Sequence, residues 1–422
     1  MKSHYQVLII GGGTGGIMTA AQLKRKNSKL SIGLIEPSKE HFYQPAWTLV
    51  GAGAFNFNKT RRSEASLIPS GVDWIQDYAT TFQPESNQVS TRNSGNITYE
   101  VMVISAGIQM DLDALPGLRE ALKTDSVCSN YLDPKKTFEV LKKFKGGNAV
   151  FTQPATPIRC GGAPQKIMYL AEEYFKKSGV RPQTNVVFAT PGSVIFGVKV
   201  FADELNRILE EKHVHFKTYY KPVSIDPVKK EISFQYTKPD GVLEASNLDQ
   251  AIGEKTGEKN MVTMPYDMLH LAPPQSAPDF IKQSPFAYQD GPNKGWLNVD
   301  IHTLQSNTYA NVFGLGDSAA LPTAKTGAAI RKQVPVVVEN VIRILQQMPV
   351  GTEKIYEGYS SCPIVTGYGK MLLCEFKYDN VRDSDPFLSK FVDTSKEKWS
   401  MWILKKFGLP WLYWNMMLKG RM

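Results

Sequence analysis

The sequence predicts an α/β protein built from two Rossmann-like dinucleotide-binding domains, followed by a C-terminal region that lies at a membrane interface. Three observations predict it. An apolar run, Val7–Ile10, opens into Gly11-Gly12-Gly13-Thr14-Gly15-Gly16. Two later apolar runs end in turn residues, Val101–Ile104 in Ser105-Ala106-Gly107 and Val312–Leu315 in Gly316-Asp317. The final 25 residues hold four of the seven tryptophans and five basic residues, with no acidic one.

With 422 residues the chain has room for two or three domains and a well-buried core. Its 42% hydrophobic and 21% charged residues exclude a disordered, collagenous or coiled-coil protein. The four cysteines (Cys128, Cys160, Cys362, Cys374) include no CxxC pair, which argues against a disulfide framework or a zinc site. The six histidines form no ligand cluster, and no metal is expected.

Taken in order, Val7–Ile10 does not read as a signal peptide, because one lysine precedes it and the glycines that follow would break a membrane helix. A strand, a tight turn and a helix from Ile17 to about Lys26 fit instead, then a strand Leu30–Ile35 ending in Glu36. Gly11, Gly13 and Gly16 form G-x-G-x-x-G, and Glu36 follows the last of them by 20 residues. Such glycines let the backbone turn tightly against a pyrophosphate, the helix N-terminus faces the phosphates, and the acid takes a ribose hydroxyl. The alternative is a glycine-rich turn without a ligand. Strands are next expected at Asn148–Thr152 and Asn185–Ala189, yet neither leads into a second glycine fingerprint, so a nicotinamide site is expected to be missing. Where those glycines would stand there is Cys160, just before a helix over Ala163–Lys177. A thiol at a helix N-terminus, flanked by Arg159 and with Lys166 one turn in, should have a lowered pKa. The alternative is a small buried hydrophobe. Ala324-Lys325-Thr326-Gly327 opens an apolar helix from Ala328 to about Leu345, and Cys374, in a strand-like Met371–Phe376, reads as core.

Four stretches, His41–Pro45, Trp47–Gly53, Cys160–Leu170 and Ser361–Tyr368, resemble sulfide:quinone oxidoreductases, most of all the branch that includes the mitochondrial enzymes. The likeness runs from about residue 4 to the C-terminus. The two later turns are similar to the remaining fingerprints of flavoproteins of the FAD/NAD(P)-binding type. The resemblance implies FAD, with Gly11, Gly13, Gly16, Glu36, Gln44, Pro45, Ala79 (through its backbone), Ala106, Gly107, Gly316, Asp317 and Lys325 at the cofactor and Asp317 on the ribityl chain. It also implies two redox cysteines on one face of the flavin, by position Cys160 and Cys362. Hydrosulfide is a soft two-electron donor, and its natural electrophile is a disulfide or longer sulfur bridge. Attack leaves a persulfide on one cysteine and a thiolate on the other. By resemblance the freed thiolate, expected on Cys362, adds to the flavin C4a, and reduced FAD passes the electrons to a membrane quinone on its other face. The acceptor of the sulfane sulfur stays open. Lys166 and Lys325 are candidates for drawing in the anion, the alternative for each being a solvated side chain. Cys128 is either a third, sulfur-relaying cysteine, as other branches carry, or a spectator. Tyr368, Phe376 and Tyr413 are expected at the quinone, with packing as the alternative.

In the tail, Trp399 to Phe407 and Trp411 to Leu418 are aromatic and apolar stretches on either side of a Gly408–Pro410 break. No apolar run of 18 residues exists, so two short helices lying in the interface, within 396–420, are expected, with Lys405 and Lys406 toward anionic headgroups. The alternative is a tail packed on its own core or on a partner, and a homo-oligomer is left open. Nucleic acid would account for the charge of +9 but not for the tryptophans, and is not expected as a partner. The expected location is peripheral, monotopic, on a prokaryotic cytoplasmic membrane. The expected domains are an FAD domain from 1–110 and 291–345, a second Rossmann-like domain at 111–290, and a quinone and membrane region at 346–422. Two competing readings are a type II NADH:quinone oxidoreductase, which needs the missing glycine fingerprint, and a non-catalytic flavin-binding sulfur carrier.

Overall fold

The computed structural model describes residues 2–422. Apolar, largely buried parallel strands form the centre of a mixed seven-stranded sheet in the order Val72–Ile75, Ile32–Ile35, His4–Ile10, Asn96–Ile104, Gln88–Thr91, Ala79–Gln83, the last two joining antiparallel and half-exposed, with Val312–Gly314 also pairing on Asn96–Ile104. The parallel registers set Ile10 opposite both Ile35 and Ile104, and Ile104 opposite Gly314. Gly11, Glu36, Ser105 and Leu315 therefore leave the sheet at one carboxyl edge, where open α/β sheets bind ligands. The Thr14–Lys26 helix starts inside the glycine turn, three residues before the expected Ile17.

A second, five-stranded parallel sheet runs Val127–Cys128, Met268–Leu271, Gly147–Thr152, Thr184–Ala189, Val214–Lys217. The amphipathic helices Ala163–Ser178 and Lys199–Glu211 follow two of its strands. A four-stranded antiparallel sheet lies beyond it and takes in Lys255–Thr256, inside a stretch whose composition reads as exposed loop, with Ile252 buried beside it. Ser360–Gly367 and Lys370–Phe376 form a hairpin in which Cys362 pairs with Cys374.

The tail departs from the expected pair of broken helices. Trp399–Ile403, a π turn at Leu404–Gly408 and Leu409–Asn415 make one helical run, with Gly408 itself in right-handed helical geometry. The Leu409 N–H reaches five residues back to the Leu404 carbonyl, and this wider turn accommodates Pro410, which has no N–H to give. The run seats Trp402 in the core of the second sheet and hairpin, and Tyr413, Trp414 and Leu418 in the core of the first. Trp399, Phe407 and Trp411 stay 68%, 59% and 58% exposed. No described helix is long and apolar enough to cross a membrane.

Truncation of a buried tryptophan typically costs about 3–5 kcal/mol. Trp402→Ala is accordingly expected to lower the thermal midpoint and to speed tryptic cleavage within 398–406, whereas the exposed Trp411→Ala leaves both unchanged.

Candidate active site

The glycine turn is built by close approach. Gly11 has φ +98°, and a methyl placed on it would lie 2.6 Å from the Ser105 carbonyl oxygen; one on Gly16 would lie 1.8 Å from the Gly11 carbonyl oxygen. Only glycine fits either place. Gly13 and Gly107, in contrast, face open space. Glu36 accepts the Gly12 N–H at 2.7 Å and the Ser38 N–H at 2.7 Å, and burial raises its pKa despite these bonds. Ala79 is buried at the start of its strand, and Ala106 is half-buried beside Gly107. Gln44 and Pro45 sit in a single 3-10 turn, with Pro45 Cγ 4.0 Å from a methyl built on Gly327. That contact brings this loop to the start of the Gly327–Leu345 helix.

The same helix start organises the other side. Gly316 donates to Gln333 at 2.9 Å. Burial raises the pKa of Asp317, while Arg159 and Lys325 act against the rise. Lys325 is not a solvated side chain: its Nζ donates to the Ala319 carbonyl at 2.8 Å and lies 4.0 Å from the Trp296 ring centre, and burial pulls its pKa down to about 8. The Lys325 carbonyl accepts the Cys160 N–H at 2.7 Å. Thr326, which caps the helix through the Ala329 N–H, shares a 2.8 Å hydrogen bond with Ser360, two residues before Cys362. Both cysteines are thus tied to one helix N-terminus.

The result is that Cys160 Sγ and Cys362 Sγ stand 3.7 Å apart. Cys160 has φ +53°, a left-handed conformation uncommon for a residue with a Cβ. Tyr131 holds it there by donating its hydroxyl to the Cys160 carbonyl at 3.3 Å. A methyl on Gly162 would lie 2.6 Å from Cys362 Sγ, so this glycine makes room for the second sulfur. Lys166 is also not solvated. It is 3% exposed, and its Nζ donates to Cys160 Sγ at 3.1 Å. The hydrogen bond from Cys362 and the Lys166 ammonium hold the Cys160 thiol well below the ordinary range, while giving up that hydrogen and being buried push Cys362 well above it. In this geometry the stabilised thiolate is that of Cys160, whereas Cys362 is where the resemblance puts the thiolate freed by sulfide. Lys405, expected among the headgroup-facing lysines, is buried instead; desolvation and then Lys166 pull its pKa down to about 7, with both sulfurs near enough to act against that. Its sequence surroundings look like those of Lys406 beside it, and nothing in the spacing singles it out.

Other candidates lie apart. Cys128 is fully buried, opposite His270 in the second sheet, its pKa pushed up to about 12 by burial; it is not part of the pair and makes a poor nucleophile. Cys374 is core. Phe376 packs edge-on against Phe196, and Tyr368 donates to the Ala52 carbonyl at 2.6 Å with its ring 6.4 Å from Trp402. Tyr413 is not with them: it is bonded to His41 and Thr14 in the other core.

The family described as pyridine nucleotide-disulphide oxidoreductase matches residues 5–144. The chain is 43% identical over 422 residues to a Mus musculus protein named sulfide:quinone oxidoreductase, mitochondrial, covering 99% of this chain and 87% of that one. It is 40% identical over 426 residues to the protein of the same name from Dictyostelium discoideum, covering 100% and 87%. A crystal structure of the sulfide:quinone oxidoreductase from Aquifex aeolicus shares the fold, with TM-score 0.75 at 19% identity, 98% of this chain and 92% of that one being covered. The expected prokaryotic cytoplasmic membrane is overturned, since these relatives, matched over 87% of their length, are named as mitochondrial proteins and point to that organelle.

Replacing Lys166 tests the electrostatics. In reduced wild type, alkylation of Cys160 should hold its plateau rate well below the ordinary thiol pKa of about 8.5. In Lys166→Met the half-point should move to higher pH, read by mass spectrometry of the Cys160 peptide across a pH series. At 43% identity over nearly its whole length, the chain belongs to the sulfide:quinone oxidoreductase family.

Proposed function

We propose that this protein oxidises sulfide to sulfane sulfur at the Cys160–Cys362 pair and delivers two electrons through FAD to a membrane quinone. The observation that carries the reading is the 3.7 Å approach of two sulfurs with an ammonium 3.1 Å from one of them. That gap exceeds a disulfide bond of about 2.05 Å and is close to the roughly 3.3 Å that two such bonds span when they meet at the bent angle of divalent sulfur, so a small approach of the two sulfurs suits the pair to a direct or a one-sulfur bridge. Lys166 and Lys405 give an anionic substrate a positive destination in a desolvated site.

Hydrosulfide attacks the bridge sulfur on the Cys362 side. A new S–S bond forms there, the bond toward Cys160 breaks, and its electron pair stays on Cys160. Cys362 is left as a persulfide. The assignment follows from leaving-group ability, because the sulfur whose thiolate is better stabilised leaves faster, and Lys166 touches Cys160. The 2.7 Å bond from the Cys160 N–H to the Lys325 carbonyl ties the Cys160 backbone to the segment that opens the Gly327–Leu345 helix.

The residues present fit a flavin dinucleotide. Gly13 and Gly107 face open space at the carboxyl edge of the first sheet, and the buried Oε1 of Glu64 beside Gly12 has no partner. Gly11–Gly16 and the Thr14–Lys26 helix N-terminus would hold its phosphates, Glu36 its ribose and Asp317 its ribityl chain, with Ala79, Gln44, Pro45, Ala106 and Gly316 along the walls. When bound, FAD supplies a two-electron acceptor that can be reoxidised by quinone. The domain division at 1–110 with 291–345, 111–290 and 346–422 belongs to the same proposal, as does a membrane-facing surface of Trp399, Phe407 and Trp411, whose aromatic rings suit a lipid headgroup layer. Tyr368, beside Trp402, is the aromatic retained for the quinone.

Cys160→Ser and Cys362→Ser are each expected to lower sulfide-driven quinone reduction by at least about 10³-fold, in keeping with loss of a covalent nucleophile. Anaerobic sulfide should bleach the flavin of wild type, and NADH should not. Normal turnover in both serine variants, or bleaching by NADH alone, removes the proposal, the latter in favour of an NADH:quinone oxidoreductase.

A further inference from the structure

Four side chains from distant parts of the sequence form one hydrogen-bonded line. Glu64 Oε2 lies 3.2 Å from His41 Nδ1, His41 Nε2 lies 2.5 Å from the Tyr413 hydroxyl, and that hydroxyl lies 2.8 Å from Thr14 Oγ1. His41, Glu64 and Tyr413 are 5%, 1% and 4% exposed. The carboxylate accepts only, so His41 donates from Nδ1; with a neutral imidazole Tyr413 then donates to Nε2 and Thr14 to Tyr413. Tyr413 comes from the tail helix, 399 positions from Thr14, and its ring packs 4.7 Å from Tyr43 while Arg62 covers neighbouring Trp414 at 4.4 Å. The second Glu64 oxygen is buried without a partner, and a methyl on Gly12 would lie 2.5 Å from it. The line therefore reaches both Gly12 and Thr14, the ends of the turn that opens the Thr14–Lys26 helix.

We infer that Tyr413 is a positioning residue of the cofactor site: the tail helix braces the Gly12–Thr14 turn in its phosphate-facing conformation, so cofactor loading and tail seating strengthen each other. The inference rests on the reading of this turn as the cofactor's pyrophosphate site. Reciprocity is thermodynamically required of any such coupling. If the seated tail favours bound cofactor, bound cofactor favours the seated tail by the same factor.

The test uses purified holoprotein. Flavin release is followed by the recovery of free-flavin fluorescence after dilution, and tail seating by tryptic cleavage after Lys398 and Lys406 in loaded and flavin-stripped protein. Tyr413→Phe, which removes only the hydroxyl and with it both of its hydrogen bonds, is expected to release flavin about five- to a hundredfold faster, the range expected for two lost hydrogen bonds. His41→Asn leaves the Tyr413 side chain and its packing on Tyr43 in place and should act in the same direction, which covers a Tyr413 variant that does not fold. The tail of stripped protein should be cut several-fold faster than that of loaded protein. Combined with Thr14→Val, Tyr413→Phe should add little, a non-additivity that a general packing role would not produce. Unchanged release in both Tyr413→Phe and His41→Asn, additive effects with Thr14→Val, or equal tail cleavage with and without flavin overturns the inference. Glu36→Ala separates the two failures: if it speeds release while the tyrosine and histidine variants do not, only the bracing fails, and if it does not speed release, the reading of the turn as the cofactor site fails with it.

Discussion

The arrangement depends on bringing two sulfurs, 202 positions apart in sequence, to 3.7 Å. Neither sits on an element that would carry it there unaided. Cys160 lies on a loop at the carboxyl edge of the second sheet, and Cys362 on a hairpin strand of the last quarter of the chain. Both are drawn in by the same anchor, the segment Lys325–Thr326, which takes the Cys160 N–H on its backbone and the Ser360 hydroxyl on its side chain. The left-handed backbone at Cys160 and the absent side chain at Gly162 are what this convergence demands locally. Residues in sparsely populated backbone regions persist only where their surroundings over-determine them, and here a tyrosine hydroxyl, a strand-like bridge to Lys325 and a helix start do so.

Burying two thiols together would ordinarily keep both protonated. A buried lysine changes the balance, because the ammonium loses its own hydration and recovers interaction energy only by facing negative charge. Lys166 and a Cys160 thiolate therefore stabilise each other, and the proton left in the pair belongs to Cys362. Lys405 approaches the same sulfurs from the tail with a much lower pKa, so one of the two buried lysines is held charged and the other is close to losing its proton at neutral pH.

Much of this was legible in the amino-acid sequence, and the reasons differ by residue. Gly11, Gly16 and Glu36 could be read because close approach and ribose recognition impose residue types at fixed spacing. The paired cysteines were legible only through resemblance, since no local rule links positions 160 and 362. Lys166 was half-legible: its place one helical turn after Cys160 was visible, but its burial was not, because burial is decided by Ile364 and the rest of a hairpin two hundred residues away. The place of Tyr413 was not legible for a related reason. An aromatic residue in a membrane-like tail looks the same whether it faces lipid, quinone or a histidine from residue 41, and only the fold distinguishes them. The single helical run of the tail was hidden for a simpler reason: a helical wheel advances by about 100° per residue, and a turn that holds an extra residue shifts every later side chain out of that phase.

The tail's contact with both cores also has a consequence for the order of assembly. His41 is made 372 positions before Tyr413, so Tyr43 and His41 leave the ribosome long before the aromatic rings that cover them, Tyr413 and Trp414. Until then an otherwise complete N-terminal sheet has an apolar flank bare to solvent, the kind of surface that invites aggregation or chaperone capture. Maturation of this protein therefore waits on the segment that carries Tyr413 and Trp414, and a chain released before that segment is made would have both paired sulfurs encoded and the flank of its first sheet still uncovered.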